Sequence, residues 1–239
     1  MMQQFFVTKV NDKFILDEDD LYHLSVVMRA REDTQIICIY NEEPYLCSFR
    51  YAGKNYDIKI ITKMLRESEL PVHIRLYQAL IRNENFDFII QKATELGVNE
   101  IVPTIFERNV VKIEKDKEEA KYKRYKLIAK GASDQSKRNV PPIILPQCTI
   151  NNIELSQDEV GLVAYEKNEN TKSLSFFAPD IKKAKKVSII IGPEGGISEK
   201  EYQTLIQKGF RSISLGKRIL RSETATISLL SVLSYIIEG

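Results

Sequence analysis

Tryptophan is absent from this 239-residue chain, histidine occurs only at His23 and His73, and cysteine only at Cys38, Cys47 and Cys148. Each shortage removes a class of chemistry. Two histidines cannot build a His-rich metal site, and they leave few candidates for a catalytic imidazole. Three cysteines, odd in number and without a C-x-x-C pair, argue against a disulfide framework and against zinc. No metal is expected, and a reducing cytoplasm is the default compartment. No apolar run approaches the roughly 18 residues needed to span a membrane. The opening MMQQFFVTKVNDKF lacks the basic stretch, long apolar core and cleavage site of a signal peptide. No membrane partner is expected. An excess of one charge is missing too, since 35 Lys and Arg against 33 Asp and Glu leave only +2. A nucleic acid would have to be met by a local cluster of cations rather than by a global field.

What remains is an ordinary globular composition, over a length that suits one large domain or two ordinary ones. The first part reads mostly as short strands. QQFFVTKV is a candidate strand, and DEDDLYHLSVVMRA a short helix. Leu21, Leu24 and Val27 share one face of it, behind a cluster of acids suited to a helix N-terminus. TQIICIY, YLCSFRYAG and YDIKIITKML are rich in β-branched and aromatic residues and are separated by NEEP and GKN turn signals. Strands at this spacing suggest a small barrel.

After RESELP the pattern changes. VHIRLYQAL, NEIVPTIF, GLVAYE, KVSIIIG and FRSISLG read as strands. Between them, FDFIIQKATEL is an amphipathic helix closed by Gly97, and a mixed-charge helix covers about residues 115–135. Ser198 and Glu201 have the spacing of a capping box, opening a helix that Gly209 ends. The apolar TATISLLSVLSYII closes the chain. Such alternation predicts an α/β domain with a largely parallel sheet. The boundary falls near residues 68–74, giving expected domains 1–70 and 71–239.

Two segments stand out as carriers of chemistry. In IIIGPEGGISEKE, residues 189–201, an apolar strand runs into Gly192, Pro193, Glu194, Gly195 and Gly196, and a capped helix begins at once. Glycines at such a strand end let backbone approach a ligand, and ligands in open parallel sheets lie beyond the carboxyl ends of strands. A tight strand-to-helix turn with no ligand would also use glycine. In SISLGKRILRSETATISLL, residues 212–230, a strand ends at Gly216, and Lys217, Arg218 and Arg221 precede Glu223 at a helix start. A phosphate-binding P-loop fails here on spacing. Gly209 and Gly216 enclose six residues where four are required, and Arg218 follows Lys217 where Ser or Thr is required. No G-x-G-x-x-G is present either. Further cations sit in HLSVVMRAR (Arg29, Arg31), FERNVVK (Arg108, Lys112) and DQSKRNVPP (Lys137, Arg138). Taken singly, each reads as a solvated surface charge.

IGPEGGIS followed by LGKRILRSETA resembles the paired C-terminal signature of the SPOUT methyltransferases, and more narrowly the 16S rRNA (uracil-N3-)methyltransferase family, RsmE type. HLSVVMRAR resembles that family's N-terminal element, with Met28 where Leu is common. FDFIIQKATELGVNEIVP and ERNVVK match its central block. DQSKR stands where E-Q-S/C-G-R is usual, so Asp134 and Lys137 depart from the pattern while Gln135 and Arg138 keep it. RNENFD, with Asn83 and Glu84, replaces a basic-Gly stretch.

The resemblance implies an N-terminal PUA-like β-barrel that assists RNA binding and a C-terminal α/β domain with a deep trefoil knot, assembled as a homodimer. Sequence rules alone would give an unknotted sheet. The cofactor implied is S-adenosylmethionine, released as S-adenosylhomocysteine and held by three loops. These map to Ala164, Tyr165 and Glu166; to Ile191, Gly192, Pro193, Gly195 and Gly196; and to Leu215, Gly216, Ile219 and Leu220. The implied reaction is methylation of uridine N3 in the decoding region of 16S rRNA, free or in the assembled small ribosomal subunit. Arg221 is expected to orient the base, with Glu223 or Glu194 as proton acceptor. Arg29, Arg31, Arg108, Arg138, Lys217 and Arg218 are expected to contact RNA. A ribose 2′-O methyltransferase of the same superfamily and a non-catalytic RNA-binding protein are the rival readings.

Overall fold

The computed structural model describes residues 2–52, 55–165 and 171–239. It falls into two units, one made of Met1–Glu69 with Ser133–Val140, the other of Leu70–Ala132 with Pro141–Gly239. Two contiguous segments divided at residue 70 would leave Ser133–Val140 on the wrong side, and the reason is a polar cluster. Glu69 accepts from the Arg138 guanidinium and from the Asn139 and Val140 amides. Gln4 donates to the Arg138 carbonyl at 2.6 Å, and Arg66 donates to Asn139.

In the first unit, β1 (Gln4–Phe6), β2 (Thr8–Val10), β3 (Lys13–Ile15), α1 (Glu18–Tyr22), β4 (Thr34–Tyr40), β5 (Glu43–Ala52) and β6 (Asn55–Lys63) follow in order. β1, β4, β5 and β6 make a four-stranded sheet, and β2 with β3 a separate hairpin, so QQFFVTKV is two strands rather than one. Phe5, Phe14, Leu24, Ile36, Cys38, Cys47 and Phe49 fill the interior of this PUA-like β-domain. The expected short helix is only partly α. After Tyr22 the chain continues as a π-helical turn, His23–Val27, with the Met28 amide donating to the His23 carbonyl. The wider turn rotates the face the periodicity predicts. Leu24 stays fully buried, but Val27 swings out to 59% exposure.

The second unit holds β7 (His73–Ala79), α2 (Asn83–Glu95), β8 (Glu100–Ile105), most of α3 (Glu118–Ser136), β9 (Ile143–Ile144), β10 (Cys148–Thr149), β11 (Glu159–Ala164), β12 (Lys172–Ser173), α4 (Ala178–Lys183), β13 (Lys186–Ile191), α5 (Glu199–Gln207), β14 (Arg211–Ser214) and α6 (Ser222–Glu238). The strands form one parallel sheet in the order β10-β8-β7-β13-β11-β14-β12, with β9 beside β8. Strand alternation divides the core. Ile74, Leu76, Val187, Ile189 and Ile191 face a cluster shared with Phe86 of α2, Tyr125 of α3, Ile181 of α4 and Leu229 of α6. Tyr77, Ala79 and Ile190 face a second cluster with Tyr202 and Leu205 of α5. Helices on both faces explain why KVSIIIG is a nearly continuous apolar run rather than an alternating one. No helix among the described residues is long and apolar enough to cross a membrane.

Candidate active site

The register decides which loops meet. β11 lies between β13 and β14, pairing Val163 with Ile190 and Ala164 with Ile213. All three strands run the same way, so their carboxyl ends open side by side. The segments that follow them are Tyr165, residues 192–196 and residues 215–221. The three loops singled out in the sequence are thereby neighbours, although Glu166 lies outside the described residues. β7 adds a fourth end, since Gln78 pairs with Ile191.

The loop after β13 is built on close approach. Ile191 and Pro193 are buried, Gly192 between them is half-buried, and Glu194 and Gly195 are exposed. The Gly196 amide donates to the Pro193 carbonyl, closing a turn with Glu194 exposed near its tip. A Cβ at Gly195 would lie 3.1 Å from the Arg108 Cβ and 3.3 Å from its carbonyl oxygen, so any larger residue would press the segment after β8 back by a few tenths of an ångström. Arg108 in turn donates from Nη1 to the Gly195 carbonyl at 3.2 Å. Ser198 caps α5 as its spacing predicts, with Glu201 completing the box. The other oxygen of Glu201 accepts from the Glu107 amide at 2.7 Å. One carboxylate thus starts the helix and holds the neighbouring loop.

The loop after β14 is more open. Gly216 has φ +111° and nothing within 4 Å of where a Cβ would stand. Ile219 is 89% exposed, while Leu215 and Leu220 are half-buried. Lys217, Arg218 and Arg221 are exposed, and Glu223, half-buried, stands in the first turn of α6, where the helix dipole favours a carboxylate. Of the β11 loop, Ala164 is half-buried. The Tyr165 side chain turns away from solvent: its ring stacks on Tyr202 at 3.9 Å and its hydroxyl donates to Glu199.

Arg138 does not belong with the RNA-facing cations. It is 2% exposed in the first unit, its guanidinium held by Glu69, so it serves packing rather than a polyanion. Arg29 and Arg31 of that unit are exposed, as is Arg108 in the second.

A buried polar network lies beneath the loops. Gln78, fully buried, donates from Nε2 to the Ser222 hydroxyl at 2.9 Å and to the Ala79 carbonyl at 3.2 Å. Its Oε1 accepts from the Thr226 hydroxyl at 2.6 Å, and Ser222 donates to the Gly192 carbonyl at 2.8 Å. The motif reading missed these residues. Their signal is modest: one amide in the otherwise apolar end of VHIRLYQAL, and a Ser and Thr four apart at the start of an apolar helix.

The arrangement offers backbone groups and apolar side chains to a planar heterocycle, with cations and carboxylates at its rim. Among the described residues no group of three or more His, Cys, Asp or Glu side chains is placed to hold a metal ion. A family model described as an RNA methyltransferase domain matches residues 68–234. The chain is 37% identical to the ribosomal RNA small subunit methyltransferase E of Mesomycoplasma hyopneumoniae, over 96% of this chain and 98% of that protein. It is 31% identical to the protein of the same name from Bacillus subtilis, over 98% and 96%. The crystal structure of ribosomal RNA small subunit methyltransferase E from Neisseria gonorrhoeae, bound to S-adenosyl methionine, superposes with a TM-score of 0.87 at 26% identity, covering 99% of this chain and 98% of that one. On this footing the chain belongs to the ribosomal RNA small subunit methyltransferase E family of RNA methyltransferases.

Proposed function

We propose that this protein transfers a methyl group from S-adenosylmethionine to N3 of a uridine in the decoding region of 16S rRNA, leaving S-adenosylhomocysteine. The observation that carries the reading is the side-by-side opening of β11 with β13 and β14, the latter two running into glycine-bearing loops. The residues fit the cofactor: the space at Gly216, the exposed Ile219 and the half-buried Leu215 and Leu220 suit an adenine, and the backbone of residues 164–165 and 191–196 supplies hydrogen bonds. When bound, S-adenosylmethionine supplies an electrophilic methyl on a good leaving group. The protein's own work is positioning, which can contribute roughly 7–11 kcal/mol. Uracil N3 carries a proton that must leave as the new bond to carbon forms. Arg221 orients the base and neutralises charge growing on its oxygens, and the carboxylate of Glu223 or Glu194 accepts the proton. The domain carries the trefoil knot of its superfamily.

RNA is held by Arg29, Arg31, Arg108, Lys217 and Arg218, chiefly through phosphates, and one base leaves its stack at a cost of about a few kcal/mol. The substrate is 16S rRNA, free or in the small subunit, and the protein works in the cytoplasm. It pairs as a homodimer through the face of α6 that exposes Val232 and Tyr235. The deciding experiment is methylation of small-subunit RNA from cells lacking the enzyme, followed by digestion and mass spectrometry of the nucleosides. N3-methyluridine is expected; a 2′-O-methylated nucleoside, or no product, overturns the reading. If Glu223→Gln and Glu194→Gln both keep near-normal turnover, the carboxylate base is refuted.

A further inference from the structure

We propose that Gln78 is a positioning residue for methyl transfer: its carboxamide presses the Ser222 hydroxyl against the Gly192 carbonyl and thereby fixes where Arg221 and the loop of residues 192–196 stand. The inference rests on reading these loops as the methyl-donor site.

An amide buried completely near the end of an apolar strand is costly unless each of its groups is paired. Here each is. Both Nε2 hydrogens have acceptors, the Ala79 carbonyl and Ser222 Oγ, and Oε1 has the Thr226 hydroxyl as donor. The orientation of the amide is also determined. Turned over, Oε1 would face the Ala79 carbonyl, and the Ser222 hydroxyl, with one hydrogen, would have to abandon either Gly192 or the amide. So the direction of donation runs one way, from Gln78 to Ser222 and from Ser222 to Gly192.

Packing alone does not call for this. A methionine or leucine would fill the position without the polar cost. What the amide adds is a link from the start of α6 to the ends of β7 and β13, which the sheet ladder joins to each other but not to the helix. Ser222 is the first residue of α6, and Arg221 is its N-cap, with its carbonyl already bonded to the Ala225 amide. Holding Ser222 therefore holds the backbone from which Arg221 projects. Gly192 is the first residue beyond β13, directly after Ile191, which pairs with Gln78 itself. The network thus sets the spacing between the two loops across which a donor would lie. A misplacement of about 1 Å in such a frame can cost 10²-fold in rate.

The test uses the full chain and three variants. Gln78→Met keeps the length and removes the polar links, leaving Ser222 free to donate to Gly192. Thr226→Val removes one donor to the amide, and Thr226→Ser restores it, which carries the test if Gln78→Met fails to fold. The kcat, the KM for S-adenosylmethionine and the KM for RNA are measured well below each variant's melting transition, with donor affinity by calorimetry. Gln78→Met is expected to lose about 10- to 100-fold in kcat/KM for the donor, with the KM for RNA unchanged. Thr226→Val should lose less, and Thr226→Ser should recover most of that loss. If Gln78→Met or Thr226→Val merely melts earlier while kcat and the donor KM stay at the wild-type values, the residue is structural and the proposal is overturned. Wild-type protein that takes up no donor in the same calorimeter refutes the functional reading itself, and this inference falls with it.

Discussion

Glu100→Gln tests whether charge at the amino ends of the strands stabilises the second unit. Glu100 opens β8 and accepts from Arg75 of β7 and, at 3.0 Å, from Lys186 of β13, with His73 Nε2 at 3.3 Å. Burial alone would raise its pKa. The hydrogen bonds and charges of Arg75 and Lys186 outweigh that and hold it at about 2, against 4.5 for an unperturbed glutamate. A difference of this size corresponds to roughly 3 kcal/mol, and solvent access to the cluster reduces it to about 2 kcal/mol. Because the folded-state value is the lower one, the contribution is complete above the unfolded pKa and is lost as pH falls towards 2. Glu100→Gln should therefore cost about 2 kcal/mol at pH 7, a fall in Tm of roughly 4–8 °C for a unit of this size. The assay is urea unfolding followed by circular dichroism, since the chain has no tryptophan to report. The gap between wild type and variant should close between about pH 5 and pH 2, where glutamic acid and glutamine become equivalent. A gap that stays constant down to pH 2.5 would show that the loss comes from packing and would refute the electrostatic argument.

Two further outcomes are expected. Gly195→Ala forces its methyl towards the Arg108 backbone, so the loop must shift by a few tenths of an ångström; donor affinity should fall about tenfold, or about 1.4 kcal/mol, and calorimetry with an unchanged value would remove the loop from the binding site. Arg138→Ala strips the cationic partner from the partly buried Glu69, leaving it the Asn139 and Val140 amides, and should destabilise the first unit by about 3 kcal/mol, whereas Lys217→Ala should leave the melting point alone and reduce the salt slope of RNA binding by about one. Reversal of that pattern would return Arg138 to the RNA interface.

Much of this was readable where a local signal and a tertiary one agree. The strand-to-helix passage at residues 189–201 combines an apolar run, glycines and a capping box, and each appears where its spacing places it. Arg138 was misread because a basic residue in a polar stretch looks solvated from its neighbours alone. Its partner, Glu69, is distant in sequence, and nothing local announces the pairing. The π-helical turn at His23–Val27 escaped for a different reason: a three-residue periodicity assumes a constant turn width, and one wider turn undoes it. Lys137 is the most instructive departure. It stands where the resembling family has glycine, and it takes φ +64° immediately after α3, with the Arg138 amide closing back on the Ser133 carbonyl. That is the geometry glycine serves at helix ends. A lysine there accepts about 1 kcal/mol of strain, and its ammonium bonds to the Met2 carbonyl at 2.9 Å.

The parallel sheet explains why stability and chemistry can be held by different residues. Every strand presents its amino end on one edge and its carboxyl end on the other. At the amino edge stand Arg75, Glu100, Glu159, Lys186 and Ser188, whose bonds cross β7, β8, β11 and β13. Strong charges are tolerated there because each is paired: Arg75 and Lys186 with Glu100, and Glu159 with Ser188. At the carboxyl edge β13 and β14 run into glycines, and beneath them lies a neutral network of Gln78, Ser222 and Thr226. A fixed charge buried beneath those loops would compete with any charge a ligand brings, and a bulky side chain would fill the opening. Neutral hydrogen bonds give position without field. On this argument the polar groups under the loops are amide and hydroxyl, and charge is left to the rim, where Arg221 and Glu194 are exposed.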